Sequence, residues 1–535
     1  MRSAVVAASW LVAGCLGTGS LDLDLTLPGE PDLRPTGMTT VTVLATAPEI
    51  APIANRTILD GNSFSAGELP VGDDVQINVL LHDVSNRLVG LGEAPELIDI
   101  RGDENTRLTI PVRRPFIYAS SGSDLITFDP TLDPRNMKFQ GRLQGLIAPQ
   151  LAVSVGGDRL VVAGTSALQI VDTATHKVTG SSIALPAGAT VRDLAQVPST
   201  RKVAVAHTAG IAIVDVETGT VTNADVGPVD QVTVGPAADG RMVAYGLVGR
   251  VAPPDTPLQP CMGSSSVVAV FVDTVAVSAP KPLPMAVSAI AAAPAQPAVF
   301  ATLPCAGQVA RIEGDPTNEI AQLTLTMVSE LRNAAAVAVL GDRVWAAGTR
   351  PSAPMCTQGQ CTTMSSTACP ETSTNRVSYV ADGARLLVQS LPIAGGNAIT
   401  LELPERRETM VDADDLARQH AQVLHPLGSV PLDLVALPGG QYVGIVMRNS
   451  YYIESLVDPL AGVILPCLKT TSSDWILVDM ASSSIAQRVR THCMITNMRQ
   501  GAYFDNWECD QPPDAERTTQ GEYMPVSIGA LFGAR

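Results

Sequence analysis

The sequence has few aromatic residues, few charged residues and especially few basic ones. Phe, Trp and Tyr make up 4% of the 535 residues, and Asp, Glu, Lys and Arg together make up 16%. Lys and Arg number 35 against 52 Asp and Glu, which gives a formal net charge of −17. Binding to nucleic-acid phosphates requires clustered Lys and Arg, so this composition argues against nucleic acid as a partner. The chain also has no polybasic stretch that would attach it to a membrane surface.

Histidine and catalytic motifs are scarce as well. The six His residues are dispersed, and even the pair His420 and His425 would point about 140° apart on a helix. The sequence contains neither a GxSxG nucleophile elbow nor a phosphate-binding glycine loop. We therefore predict no catalytic residue, no metal site and no cofactor.

A short acidic segment is the only place where a calcium loop or a helix comes into question. Asp412, Asp414 and Asp415 lack the glycine and the distal glutamate of an EF-hand loop. Acidic residues are also favoured at the start of a helix, where Asp412 could act as the N-cap. We interpret the segment as the beginning of a helix over Ala413–Leu424, the only helix predicted.

Long hydrophobic runs are missing beyond the N-terminus, although 46% of the residues are hydrophobic. Val, Ala, Gly and Thr occur in short runs that are separated by Gly, Pro, Asp and Ser, which is typical of strands with frequent turns. No later segment has the ~20 uninterrupted apolar residues of a membrane-spanning helix. The sequence therefore predicts an all-β protein of more than one domain.

The first fifteen residues have the pattern of an export signal. A basic Arg2 precedes an apolar run, Ala4–Val12, and the small residues Val12-Ala13-Gly14 precede Cys15. This tetrapeptide resembles the bacterial lipobox, which implies a signal peptide and lipobox over 1–15, acylation of Cys15 and an outer-membrane lipoprotein in the periplasm or on the cell surface. An ordinary signal peptide followed by a coincidental cysteine is the alternative. Residues 16–36, rich in Gly, Pro, Asp and Thr, are predicted to form a flexible tether.

The other eight cysteines are an even number, which in an exported protein indicates disulfides. Their spacing contains no CxxC and matches no common zinc site. We predict the bridges Cys261–Cys305 and Cys493–Cys509, and a bridge from one of three clustered cysteines to Cys467, with the other two pairing locally. The cluster consists of Cys356, Cys361 and Cys369.

Residues 37–115 contain six or seven short alternating runs separated by turns and no helical period, which indicates a β-sandwich. The runs Leu69-Pro-Val-Gly-Asp-Asp74 and Thr106-Arg-Leu-Thr-Ile-Pro-Val112 resemble Ig-like or transthyretin-like modules of bacterial surface proteins.

Residues 116–535 are dominated by a repeat of about 43 residues. Two adjacent copies lie between Gly157 and Gly219, and each has a run that ends in Val-Asp, at Asp172 and at Asp215. Such a period suits a four-stranded propeller blade. The copy Ile213-Val-Asp-Val-Glu-Thr-Gly219 resembles the YVTN-type seven-bladed propellers. We predict seven blades, with the first completed by the C-terminal strand within Tyr523–Phe532.

Four segments exceed the repeat and are interpreted as insertions, at 249–264, 350–375, 404–428 and the tail 491–522. They are all expected on one face of the ring, with the sandwich on the opposite face. Long loops without a folding role are usually functional, and disulfides limit the entropy of ordering them.

We therefore predict a lipid-anchored binding or scaffolding protein of the cell envelope. Its partner would be an envelope protein or polysaccharide, with Tyr503, Phe504 and Trp507 as a candidate binding surface. The alternative is a propeller enzyme of the lactonase or polysaccharide hydrolase or lyase type.

Overall fold

The computed structural model describes residues 18–490 and 525–530, with internal gaps. The gaps are 48–49, 103, 122–123, 129–140, 144, 148, 150, 253–261, 319–321, 351–354, 357–376, 379–384, 405–420, 438–439, 441, 457–467 and 481. Over the described residues the protein is all β, except for one 3-10 turn at Pro31–Leu33. No helix among them is long and apolar enough to cross a membrane. The predicted fold class is confirmed.

The first eight strands form one N-terminal β unit. They are β1 (Thr18–Thr26), β2 (Thr40–Ala47), β3 (Ile50–Ile58), β4 (Ser63–Pro70), β5 (Gly72–His82), β6 (Leu88–Glu93), β7 (Ile98–Ile100) and β8 (Asn105–Arg113). Their order in the sheet is β3-β2-β5-β6-β8-β1-β4, with β7 paired to β5. The sheet curves until its two edge strands are neighbours, and the Asn55 side chain on β3 donates to the carbonyl of Ala66 on β4 at 3.0 Å. The unit is therefore nearly barrel-shaped.

Strand β1 corrects the prediction of a flexible tether over 16–36. Leu21, Leu23 and Leu25 alternate with polar residues and are buried in the core of the unit. β1 pairs in parallel with β8, from Ser20 with Asn105 onward, and antiparallel with β4. The period-2 alternation makes one side of the segment apolar, so its burial between two strands outweighs the flexibility that the flanking glycines and prolines provide.

The rest of the described chain forms a seven-bladed propeller, because seven four-stranded sheets follow in sequence. Blade 1 contains β9 (Ile117–Ser121), β10 (Asp124–Phe128) and β11 (Gly141–Arg142), and blades 2, 3 and 4 contain β12 (Leu151–Val155), β13 (Arg159–Ala163), β14 (Ala167–Asp172), β15 (Lys177–Ala184), β16 (Val191–Gln196), β17 (Lys202–His207), β18 (Gly210–Asp215), β19 (Val221–Asp225), β20 (Gln231–Pro236), β21 (Met242–Val248), β22 (Ser266–Phe271) and β23 (Lys281–Pro282).

Blades 5, 6 and 7 contain the remaining strands before the C-terminal one. Their strands, with a short ribbon β30–β31 between β29 and β32, are β24 (Ala289–Ala292), β25 (Val299–Leu303), β26 (Gln308–Glu313), β27 (Thr324–Glu330), β28 (Ala336–Leu340), β29 (Arg343–Arg350), β30 (Met355–Cys356), β31 (Val377–Ser378), β32 (Arg385–Pro392), β33 (Ile399–Pro404), β34 (Ala421–Ala436), β35 (Tyr442–Leu456), β36 (Leu468–Asp479) and β37 (Ser484–Arg490).

The last strand, β38 (Pro525–Ala530), belongs to blade 1. It pairs with β9, with Ile528 opposite Ala119. It also lies between the inner strands of blades 2 and 7, β12 and β34. The ring is therefore closed by the C-terminal strand, as predicted.

The helix predicted over Ala413–Leu424 is wrong in its C-terminal part. Residues 421–424 belong to β34, which pairs with β35 over its whole length, with His425 opposite Tyr452. Residues 413–420 lie outside the described residues. Tertiary pairing with a long neighbouring strand overrides the local helical pattern.

The Val-Asp ending of the repeat has a local structural cause. In blade 2, one carboxylate oxygen of Asp172 accepts hydrogen bonds from the backbone N–H groups of Ala174 and Thr175, both at 2.9 Å. In blade 3, Asp215 accepts from Glu217 and Thr218 in the same way. The aspartate thus closes the turn to the outer strand, as Asp side chains commonly do.

We call the side of the ring where second strands end and third strands begin the insertion face, and the other side the junction face. The N-terminal unit packs on the junction face of blades 1, 2 and 7 through one shared hydrophobic core. Its members include Leu33, Leu80, Leu88 and Leu91 of the unit and Phe116, Tyr118, Leu160, Leu437 and Tyr442 of the propeller.

At the edge of this junction, Glu93 of the unit lies near Arg201 and Asp158 of the propeller. Burial is the main cause that raises the pKa of Glu93 to about 7; the positive Arg201 opposes this shift, and the negative Asp158 adds to it. Because ionisation is disfavoured in the folded state, the stability contribution of Glu93 is complete below its ordinary pKa and is lost as the pH rises through about 7.

A Glu93→Gln variant is therefore expected to be close to the wild type in stability at pH 4 and to be more stable at pH 8.5. Residual solvent exposure of residue 93 limits the expected gain to about 1–2 kcal/mol. Denaturant unfolding at the two pH values measures the difference. A gain of equal size at both pH values would show that the effect does not come from ionisation.

Candidate functional site

The mouth of the central channel on the insertion face carries the clearest polar constellation of the described residues. Asp230 lies just before the inner strand of blade 4, β20. One of its carboxylate oxygens accepts from the guanidinium of Arg192, on the inner strand of blade 3. The other accepts from the backbone N–H groups of Gly249 and Arg250, each at 2.9 Å. This carboxylate holds the start of the blade-4 insertion against the ring.

Arg250 extends from this point across the channel. Its Nε donates to the carbonyl of Ser288 in blade 5 at 2.7 Å, and one terminal nitrogen donates to the carbonyl of Leu432 in blade 7 at 3.2 Å. Blades 4 and 7 are three positions apart in a ring of seven, so this side chain spans the opening. The planar guanidinium suits the task because it donates in several fixed directions.

The network continues from Ser288 into blade 6. The Ser288 hydroxyl is fully buried, donates to the carbonyl of Ala334 at 3.0 Å and lies 2.8 Å from the hydroxyl of Thr302. Ser265 fixes the other end of the blade-4 insertion by donating to the carbonyl of Gly249 at 2.9 Å. The mouth is thus a hydrogen-bonded platform that joins blades 3 to 7.

Side chains between neighbouring inner strands make the platform rigid. The carboxylate of Asp193 accepts from the N–H of Val232 at 3.0 Å, and Thr233 accepts from the N–H of Ala292 at 2.8 Å. The inner strands have no sheet partner on the channel side, so these side chains satisfy backbone donors that would otherwise lack a partner.

This arrangement is unsuited to acid–base chemistry. A general base must be free to accept a proton from a substrate, whereas the oxygens of Asp230 already accept from one guanidinium and two backbone N–H groups. Among the described residues there is also no group of three His, Cys, Asp or Glu side chains that could hold a metal ion.

Three of the described histidines are buried or half-buried within the fold, and two of them are hydrogen-bonded there. Burial lowers the pKa of His176 to about 4, and its ring lies 3.0 Å from the hydroxyl of Tyr118. His207 is hydrogen-bonded to Asn223 at 2.8 Å, and burial lowers its pKa. His82 is buried in the N-terminal unit.

Most of the site residues predicted from the sequence lie outside the described residues. Cys305 is disulfide-bonded, and the backbone of Cys356 forms β30 opposite Val377. The predicted site residues outside the described part of the chain are Cys15, Cys261, Cys361, Cys369, Cys467, Cys493, Cys509, Tyr503, Phe504 and Trp507. The disulfide pairing and the aromatic surface therefore stay predictions.

Sequence reasoning missed Arg192, Asp230 and Arg250. The only available signal is positional, because Arg192 and Asp230 lie at the starts of inner strands and Arg250 follows a second strand. These positions meet at the channel mouth of a propeller.

The architecture defines the class of protein as a seven-bladed β-propeller with an N-terminal β unit. Comparison with protein-family models finds no match, and comparison with curated proteins finds none. Among solved structures, the chain is similar to hydrazine synthase of Kuenenia stuttgartiensis, with 13% identity, 66% of this chain and 99% of that chain covered, and a TM-score of 0.37.

Two further similar structures are propeller domains. The Cps50 (Swd1) domain of Myceliophteria thermophila has 11% identity, covers 63% of this chain and 95% of its own, and gives a TM-score of 0.32. The Pan2 WD40 domain of Neurospora crassa has 12% identity, covers 51% and 82%, and gives 0.30. These similarities are too low to transfer an activity.

Proposed function

We propose that this protein is an exported, lipid-anchored module that binds a component of the cell envelope through the insertion face of a YVTN-type propeller. Binding is favoured over catalysis by Arg250, because its side chain spans the channel mouth to Leu432 and its backbone N–H donates to the carboxylate of Asp230. The partner is an envelope protein or polysaccharide. The net charge of −17 argues against nucleic acid.

The placement of the insertions supports a binding face. In blade 4 the segment leaves after Val248 and returns at its paired residue Ser266. In blade 6 it leaves at Arg350 and returns at the paired Arg385. Each insertion thus starts and ends at two residues that are paired on neighbouring strands, so the insertions are not needed to complete their blades.

The lipid anchor is supported by the lipobox-like Val12-Ala13-Gly14-Cys15, and Cys15 is the proposed acylated residue. Mass spectrometry of the mature N-terminus tests it. We expect a diacylglyceryl group on Cys15, and a free amine on any other residue would contradict the proposal.

The binding face can be tested without disturbing the ring. Replacing residues 351–384 with a short Gly-Asn turn joins the paired ends of β29 and β32 and should leave the blade intact. We expect the shortened protein to lose at least 10-fold in co-sedimentation affinity for stripped outer-membrane fragments and peptidoglycan sacculi, with an unchanged melting temperature.

The matched control is Asp342→Ala, which alters the turn between β28 and β29 on the junction face of the same blade. This variant should bind as the wild type does. Equal binding by the shortened protein and the wild type would place the binding surface elsewhere. Hydrolysis of lactone or polysaccharide substrates that is lost in the shortened protein would favour the alternative, a propeller enzyme.

A further inference from the structure

The N-terminal β unit begins almost at the proposed acylation site. Only Leu16 and Gly17 separate Cys15 from Thr18, the first residue of β1. An extended residue spans at most about 3.6 Å, so Thr18 lies within about 11 Å of Cys15. The folded unit therefore starts next to the membrane surface if Cys15 is acylated.

Strand β1 is held firmly from its first residues. It pairs with β4 on one side, where Thr18 lies opposite Pro70, and with β8 on the other. Leu21 and Leu23 are almost completely buried. The sheet is thus fixed from Thr18 onward, and only two residues separate it from the proposed acylation site.

The propeller is attached at the opposite end of this unit. β1 and β8 run in the same direction, away from Cys15, and β8 leads directly into Phe116 of the shared core. The nine residues of β1 correspond to roughly 30 Å at the rise of a strand. The core shared with blades 1, 2 and 7 then prevents the propeller from turning relative to the unit.

We infer that the N-terminal β unit is a rigid spacer that holds the propeller roughly 30 Å above the membrane, with the insertion face pointing away from it. The inference rests on the proposed acylation of Cys15. The direction follows from the contact surface, because Leu160 and Tyr442 lie at the starts of second strands, on the junction face. The partner that binds the insertion face is therefore a component beyond the anchoring membrane.

The charge at the anchored end agrees with an upright spacer. The turns next to Thr18 carry acidic side chains and one arginine, Arg101, which is already paired with Asp73 at 2.6 Å and Asp99 at 2.7 Å. The other acidic residues there are Glu68, Asp74 and Glu104. Such an end is repelled by anionic headgroups, so the acyl chains alone would hold the protein at the surface.

Neutron reflectometry tests the spacer on the full-length acylated protein, bound to a supported bilayer of phosphatidylethanolamine and phosphatidylglycerol in a 3:1 ratio. We expect a thin protein layer of roughly 30 Å next to the bilayer, followed by a denser layer from the propeller. In a variant with twenty Gly and Ser residues inserted after Gly17, the boundary between the two layers should disappear. A dense layer directly on the bilayer in the wild type would overturn the spacer.

A second measurement separates this failure from failure of the anchor. The chain from Leu16, carrying an N-terminal hexahistidine tag, is bound to a bilayer with nickel-chelating lipid. The same two layers should appear even if mass spectrometry finds no acyl group on Cys15. If the tagged chain forms two layers but mass spectrometry finds no acyl group on Cys15, the lipid anchor of the proposed function is overturned and the spacer stands. If the tagged chain also forms a dense layer directly on the bilayer, the spacer is overturned.

Discussion

A chain that ends at Met524, and therefore lacks β38, is expected to melt at least about 10 °C below the full protein. β38 supplies the inner strand of blade 1, with Ile528 opposite Ala119 and Ala530 opposite Ile117. Its loss removes several backbone hydrogen bonds, worth about 1 kcal/mol each, together with the packing against β12 and β34. A loss of about 5 kcal/mol or more corresponds to this shift at about 2 °C per kcal/mol for a large domain.

The truncation has a matched control. Removing only residues 531–535, which follow β38, should leave the melting temperature unchanged. Differential scanning calorimetry and limited proteolysis measure both variants. If the chain that ends at Met524 melted within a degree or two of the control, the ring would have to close without the C-terminal strand.

Phe116→Ala is expected to cost about 3–5 kcal/mol, in the range for large aromatic residues truncated in a core. Phe116 is 1% exposed and lies in the shared core of the junction. Its ring also contacts the ring of His176 edge-on, with the centroids 5.0 Å apart. Because both units contribute to this core, the loss should destabilise them together.

Calorimetry of the wild type should accordingly show one cooperative transition, which moves to lower temperature in Phe116→Ala. Val84→Ala, at a position that is 88% exposed on the same N-terminal unit, is the control and should change stability by less than about 0.5 kcal/mol. Two separate transitions in the wild type, with only one affected by Phe116→Ala, would show that the units fold independently.

The blades could be predicted from the sequence because their signals are local. The turn closed by Asp172 involves residues within three positions of it, and the same pattern recurs at Asp215 in the next blade. The alternation of Leu21, Leu23 and Leu25 was equally visible, but the sequence could not show that β8, more than eighty residues away, pairs with it. Tether and strand differ only in that long-range pairing.

The channel mouth could not be predicted because its parts are far apart in the chain. Arg250 meets Leu432 through a ring of seven blades, and a change in blade number would separate them. From the sequence alone, Asp230 is indistinguishable from an ordinary turn residue, because its partners Arg192 and Gly249 are identified only by the folded ring.

The sequence by itself determined the all-β class, the count of blades and the strand that closes the ring, since strand alternation and turn chemistry act over a few residues and repeat with a constant period. Only the tertiary structure decided that β1 belongs to the first sheet, that residues 421–424 continue a strand, and that Arg250 spans the channel mouth. These outcomes depend on contacts between distant segments, whose free energies come from burial and hydrogen bonds that exist only once the sheet and the ring have closed.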